Sequence, residues 1–439
     1  MILNDNSKYS STKDNLEKFL LLQNIANRNI SELVNEYDNN ILIYPYSFEE
    51  CEDKLGNQQL ISLRTTWNGK KCTKANLETG NVAGFIGING LYVSIHSRFS
   101  RNVNEDFFLH YMLQKVLNIN VVSLQHGVNN EQVFDFLLYL FPKLLNDALA
   151  QGLYKEYQRN EYNDTNIRGV IDINRHIKKN MPFNGRIAYR TREFSHDNNV
   201  TELIRHTIEY ICTTKLGKEL MEINAEIRSN VAQILAATTR YKRQDREKVI
   251  KNNLKIASHP FYTRYAPLQK LCLRILRHEK IKYGQNENKI HGILFDVSYL
   301  WEEYLATILT RQGFKHPDNR KGIGRINLTN TNKFPRYLDF YREHDSIIID
   351  AKYKPETEKR DDIHQIITYM YRLKGKYGIL IHPTCQEHTI KRYPLLGYGE
   401  KNDAELHTYL FKIPQDANDY KDFITKIQLS EEVLIKHYE

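Results

Sequence analysis

The sequence predicts an α/β domain over its C-terminal third, behind an N-terminal antiparallel β-rich domain and a helical middle region. Three observations carry this reading. Beyond residue 284, helical and β-like runs alternate, as they do in α/β folds. From about 40 to 100, short β-like runs are divided by Gly, Asn and Lys clusters. Between these regions, long stretches keep apolar residues at helical spacing. The expected domains are 1–104, 105–284 and 285–439. At 439 residues the chain can bury separate cores for them.

Element by element, 12–36 has helical spacing and is expected as one helix. Strands follow at ILIYPY (41–46), QLISLRTTW (59–67), VAGFIG (82–87) and LYVSIHSRF (91–99). Asn68-Gly69 and Asn89-Gly90 are hairpin signals. Helices are expected over 105–118 and 131–158, with Pro142 kinking or dividing the second. Residues 165–195 are mixed, 199–238 helical, and 262–280 helical again. GQNENKIHG (284–292) reads as a loop and domain boundary. Then come a helix (297–312), strands, a helix (361–374), strands at 376–383 and 406–414, and a helix (417–428).

Composition narrows the class only a little. Apolar residues make up 41% and charged residues 26%, ordinary for a soluble protein. The net charge of +9 favours an anionic partner. Five cysteines, odd in number and widely spaced, read as reduced thiols in a cytoplasmic protein. The N-terminus lacks a basic segment followed by an apolar run, so no secretory signal is expected. The most apolar stretch, 134–140, is far short of the roughly 20 residues of a membrane span, so no membrane partner is expected.

The segment FPRYLDFYREHDSIIIDAKYK (334–354) carries the chemistry. Asp350 and Lys352, two apart on a strand, share a face. A tight turn at His344-Asp345 makes paired residue numbers sum to 689, which sets Asp339 opposite Asp350. A one-residue slip would separate the acids. Two carboxylates suit a hard cation that keeps several waters, typically Mg²⁺, with Mn²⁺ as the alternative. Such a cation stabilises charge developing on a phosphodiester and activates water. A lysine beside it orients or deprotonates that water and helps neutralise the phosphate. Acid-x-Lys alone is weak: Glu52-Asp53-Lys54, Glu287-Asn288-Lys289 and Asp419-Tyr420-Lys421 match it too. Only Asp350 ends a β-branched run with an acid on the preceding strand.

Two flanking helices add to it. Downstream, Gln365 and Tyr369 lie four apart on one helical face. Upstream, Val297, Trp301, Tyr304 and Ile308 form a buried stripe flanked by Glu302 and Glu303. The order of Glu helix, Asp, Asp-x-Lys and Gln-x-x-x-Tyr resembles the PD-(D/E)xK nuclease superfamily. LFDVSYLWEEYLATIL, PRYLDF, DAKYK and the Gln-x-x-x-Tyr helix more closely resemble McrC, the nuclease subunit of McrBC and LlaJI-type restriction systems. The likeness is strongest over 291–375 and weaker over 169–177 and 193–212.

That resemblance implies a restriction-endonuclease-like mixed sheet flanked by helices. It makes Asp339 and Asp350 metal ligands, Lys352 the catalytic lysine, and Glu302, Gln365 and Tyr369 supporting residues. Pro335 stands four residues before Asp339 rather than next to it. The resemblance also implies an N-terminal domain that docks on a McrB-like AAA+ GTPase hexamer. The sequence itself holds no G-x-x-x-x-G-K-[ST] loop, so any motor lies on another chain. DNA is the implied substrate, and a double-strand break would call for two nuclease centres, as in a pair of nuclease subunits, or for sequential nicking. Phosphate binding is one reading of the cation-dense stretch at 239–256, with Arg240, Lys242, Arg243, Arg246 and Lys248; a solvated helix face is the other. The remaining alternatives are a stand-alone repair or defence nuclease and a catalytically silent DNA-binding adaptor.

Overall fold

The computed structural model describes residues 1–12, 15–37, 41–48, 54–88, 91–100, 106–117, 130–222, 224–282, 291–317, 319, 322, 324–331, 333–355, 359–398 and 404–438. The described chain forms two compact units, one of Met1–Val133 with Asn286–Glu439 and one of Phe134–Gln285. The boundaries expected at 104 and 284, and the Asn89-Gly90 turn, lie outside the described residues.

The first unit opens with β1 (Ile2–Asn4), β2 (Lys8–Ser10), α1 (Leu16–Leu20) and α2 (Ile30–Glu36). The single helix expected over 12–36 is broken. Asn27 takes a left-handed φ of +60°, and Asn29 restarts the chain as a capping box with Glu32. Five strands follow: β3 (Ile41–Tyr44), β4 (Ile61–Asn68), β5 (Lys71–Thr79), β6 (Val82–Ile88) and β7 (Leu91–His96). α3 (Phe107–Leu117) comes after them. β4 and β5 pair antiparallel around Gly69, whose φ of +60° suits a tight turn. With β2 they form a three-stranded sheet.

α4 (Asn130–Leu149) leads into the second unit and runs unbroken through Pro142. The helix expected to reach 158 ends at 149; Gly152, at φ +86°, turns the chain. A three-stranded antiparallel sheet follows, made of β8 (Glu156–Asp164), β9 (Val170–Ile171) and β10 (Ile187–Ser195), with α5 (Ile173–Asn180) between the last two. The middle region is therefore not helical throughout. Polar side chains on both faces of β8 hid its strand character. The rest is helical: α6 (Asn199–Ile211), α7 (Lys215–Met221), α8 (Ala225–Ala237), α9 (Arg246–Asn252) and α10 (Tyr265–Lys282).

The chain then returns to the first unit as β11 (His291–Asp296) and α11 (Val297–Leu309). β11 lies between β3, to which it is parallel, and β6, to which it is antiparallel. The sheet order is β1-β7-β6-β11-β3, with β1 parallel to β7. The expected antiparallel β-region is thus in part a mixed sheet completed by a distant strand. Buried on nearly every residue, β3 and β6 need cover on both faces of the sheet. Gly84 permits the approach: a Cβ there would lie 2.2 Å from the Ile293 carbonyl oxygen.

The remaining elements are β12 (Arg325–Asn327), β13 (Pro335–Tyr337), β14 (Phe340–Arg342), β15 (Ile347–Ala351), α12 (Arg360–Leu373), β16 (Tyr377–Thr384), β17 (Thr389–Pro394), β18 (Glu405–Lys412) and α13 (Tyr420–Tyr438). A second five-stranded mixed sheet has the order β14-β15-β16-β18-β17. Its centre is parallel and both edges are antiparallel. The alternation expected beyond 284 is therefore an α/β arrangement. On α11, Val297, Trp301, Tyr304 and Ile308 are buried as expected. The Tyr304 and Tyr111 hydroxyls donate to Glu431 Oε1 at 2.9 and 2.8 Å, tying α11 and α3 to α13.

Candidate functional site

The β14–β15 hairpin has the expected register. Phe340 pairs with Ile349, Tyr341 with Ile348 and Arg342 with Ile347. Each pair sums to 689, around a turn in which Ser346 N–H donates to Glu343 O. Asp339 stands one step beyond the last bonded pair, where its partner would be Asp350. It closes the gap with its side chain, as Ala351 N–H donates to Asp339 Oδ2 at 2.8 Å.

Asp350 ends the β-branched run of β15 and is almost wholly buried. Lys352 Nζ lies 2.5 Å from its Oδ2, a close ion pair. The same ammonium donates to Gln365 Oε1 at 3.1 Å. Gln365 Nε2 lies 2.6 Å from the Tyr369 hydroxyl, which donates to Tyr337 O at 2.5 Å. A chain of polar contacts thus runs from Asp350 through Lys352, Gln365 and Tyr369 to the backbone just ahead of Asp339. Helical spacing on α12 produces it, since positions four apart share a face.

The electrostatics are strained. Burial, then Glu302 and Asp350, push the Asp339 carboxyl well above the ordinary carboxylate range, against Lys352 and the Ala351 N–H. Burial opposes the Lys352 ammonium, but Asp350 and Asp339 outweigh it and hold its pKa above the usual lysine value. Glu302 is close enough to act on Asp339 by charge, and its Oε1 lies 4.0 Å from His316 Nδ1.

Sequence reasoning missed His316, which sits in a loop with no motif around it. Its Nδ1 lies 2.8 Å from Asp339 O and its Nε2 3.4 Å from Glu303 Oε1. Its ring stacks on Phe340 at 4.7 Å. Burial would lower its pKa, but Glu303, Asp339 O and Glu302 win and push it up to about 9. As an imidazolium it donates from both nitrogens. Asp362, also missed, forms a close ion pair with Lys354.

The structure therefore gathers Asp339, Asp350, Lys352, Gln365 and Tyr369, with Glu302 acting through its charge. Among the described residues, no group of three or more His, Cys, Asp or Glu side chains is set to hold a metal ion. The donors present are two carboxylates. One of their oxygens, Asp350 Oδ2, is buried and faces the Lys352 ammonium. An all-oxygen pair of this kind fits a hard divalent cation that fills its shell with water.

The cation-dense stretch belongs to the second unit. There Arg240 N–H donates to Asp197 Oδ2 and its guanidinium to Asn160 Oδ1. Arg246 lies over the Tyr210 ring at 5.2 Å, while Lys242, Arg243 and Lys248 are exposed.

Fold and site together define a mixed α/β protein with a carboxylate–lysine centre at one end of a sheet strand. Residues 77–383 match the family described as McrBC 5-methylcytosine restriction system component, and the chain belongs to that family. Comparison with curated proteins gave no match. Similar solved structures include the following two. One is the refined half-complex from a tetradecameric assembly of Thermococcus gammatolerans McrB AAA+ hexamers with bound McrC, at 13% identity over 98% of this chain and 99% of that chain, TM-score 0.44. The other is the cryo-EM structure of the Thermococcus gammatolerans McrBC complex, at 13% identity over 73% of this chain and 89% of that chain, TM-score 0.31.

Proposed function

We propose that this chain is the Mg²⁺-dependent endonuclease subunit of a GTP-dependent restriction system, cutting DNA when assembled with an AAA+ GTPase ring. The observation that carries the reading is the registered hairpin, which sets Asp339 beside Asp350 and Lys352 in a member of the McrBC family. Asp339 and Asp350 would hold the cation, Mg²⁺ or Mn²⁺. When bound, it supplies Lewis-acid stabilisation of charge on the phosphodiester and a more acidic water. Lys352 is kept as an ammonium by its carboxylate neighbours, so it orients water and neutralises phosphate rather than taking a proton. Gln365 and Tyr369 fix the direction of its Nζ. His316 and Glu302 brace the backbone and charge of Asp339.

A separate ring suits a chain with no phosphate-cradling glycine loop, and the solved McrC is bound to McrB hexamers. Cytoplasmic placement is part of the same proposal. Cys72, Cys212 and Cys272 are not in disulfides, and no helix among the described residues is long and apolar enough to cross a membrane. The test is cleavage by purified chain with the GTPase, GTP, Mg²⁺ and duplex DNA. Lys352→Ala is expected to lower the rate by roughly 10²–10⁴-fold while folding and ring binding survive. Full cleavage by that variant would sink the assignment.

A further inference from the structure

Between Asp318 and Asp339 the chain carries Arg320, Lys321, Arg325, Lys333 and Arg336 and no acidic residue. The described part of this segment includes a small arm, with β12 and β13 paired antiparallel as Arg325↔Tyr337, Ile326↔Arg336 and Asn327↔Pro335. Both strands are anchored to α12, the helix that carries Gln365. Arg372 Nε donates to Asn327 O at 2.7 Å, and the Tyr369 hydroxyl donates to Tyr337 O at 2.5 Å. The base of the arm is thus fixed two residues from Asp339.

The two ends of the arm differ. At the base, Ile326 packs against the core that includes Tyr369, and Arg336, directly opposite, shares its face. The Arg336 guanidinium is near enough to Tyr369 to act on its hydroxyl by charge. Toward the tip, Lys333 and Phe334 are exposed. Phe334 has a φ of +57°, a left-handed backbone that bulky side chains rarely adopt. With 62% of its surface open, no core burial offsets that strain. An exposed aromatic held in a strained backbone between cations suits a ligand with flat apolar faces and a charged backbone. The neighbouring site is acidic, with Asp339, Asp350 and Glu302 close together. Cations beside it lower the repulsion that a polyanion meets there.

We propose that the arm 325–337 is a DNA-holding element beside the cutting site. Lys333 and Arg336 lie on backbone phosphates flanking the cut, and Phe334 stacks on a base or sugar. The placement rests on the nuclease reading, but binding can be measured without cleavage. The full chain in EDTA is titrated into labelled duplex DNA over a range of salt concentrations, alone and with the GTPase ring. The Lys333→Gln/Arg336→Gln double variant should flatten the slope of log affinity against log salt by roughly 0.9 per lost phosphate contact. Phe334→Ala should weaken binding about tenfold with the slope unchanged. A charge-matched control, Lys421→Gln/Lys436→Gln at exposed positions of α13, should leave both unchanged. All variants alter exposed or half-buried side chains, and unchanged melting curves confirm folding. Unaltered slope and affinity in the arm variants would overturn the proposal, as would no DNA binding by the unmutated chain in either condition. Loss of ring binding with DNA binding intact would also overturn it, by making the arm a protein-docking surface. Arm-dependent binding by an unmutated chain that never cuts would defeat the nuclease reading and leave the arm standing.

Discussion

Both five-stranded sheets of the first unit are mixed, and both bury their central strands. In the sheet of β3, β6, β7 and β11 the buried side chains are apolar, among them Ile41, Ile43, Val82, Ile86, Val93, Ile95 and Leu294; His96 and Asp296, at strand ends, are the polar exceptions. The sheet of β15, β16 and β18 buries Asp350, His382, His407 and Thr408 among its aliphatic residues. Buried charge costs free energy unless it is paired, and pairing seldom repays the full cost. The first sheet is built as an element of stability. The second gives part of its interior to a charged pair, Asp350 with Lys352.

The sharpest way to break this comparison is Asp350→Asn. The amide keeps the shape, removes a like charge beside Asp339, and leaves a neutral group where a ligand would be. Cleavage should fall by at least about 10²-fold while the melting temperature changes little, because the lost pairing with Lys352 offsets the lost repulsion of Asp339. Cleavage assays on protein of known melting temperature read both. A marked drop in stability would mean that Asp350 serves the fold and that the two sheets do not differ in this way.

The complementary change is Leu294→Ala in β11. Leu294 is fully buried in the core cluster formed by the N-terminal strands and helices. Truncation there should cost about 2–5 kcal/mol, read by denaturant titration, with cleavage per folded molecule unchanged. A cost under about 1 kcal/mol would show that this sheet collapses easily around a cavity and is not the rigid partner.

The two regions also differ in how far the sequence could be read. The acid hairpin is local: its turn, its β-branched run and its acids lie within a few residues of one another. Period-two alternation and one turn position therefore set its register. The Gln365–Tyr369 spacing was legible for the same reason. By contrast, the pairing of β11 with β3 joins residues some 250 positions apart, and nothing in HGILFD names its neighbours. Local pattern also failed at β8, which shows no apolar alternation, and at 12–36, where apolar spacing continues through the left-handed Asn27. His316 was invisible because its partners are a backbone oxygen and two acids from another element.

A smaller effect tests whether a buried carboxyl near the apolar sheet has a structural role alone. Asp106, immediately before α3 and buried, accepts from Ser97 N–H and, at 3.0 Å, from Leu109 N–H in the first turn of α3. Burial raises its pKa to about 6, against those hydrogen bonds. Between roughly pH 4 and 6 the folded chain therefore holds a proton that the unfolded chain has released, so this group's contribution to stability falls as pH rises through that window. Asp106→Asn removes the titration. Relative to the unmutated chain, the variant should gain on the order of 1–3 kcal/mol between pH 4 and 6 and change little above that. Parallel thermal melts across that range measure the difference. A flat difference would mean that the Asp106 carboxyl ionises in the fold as readily as in water, and that hydrogen bonds rather than burial govern it.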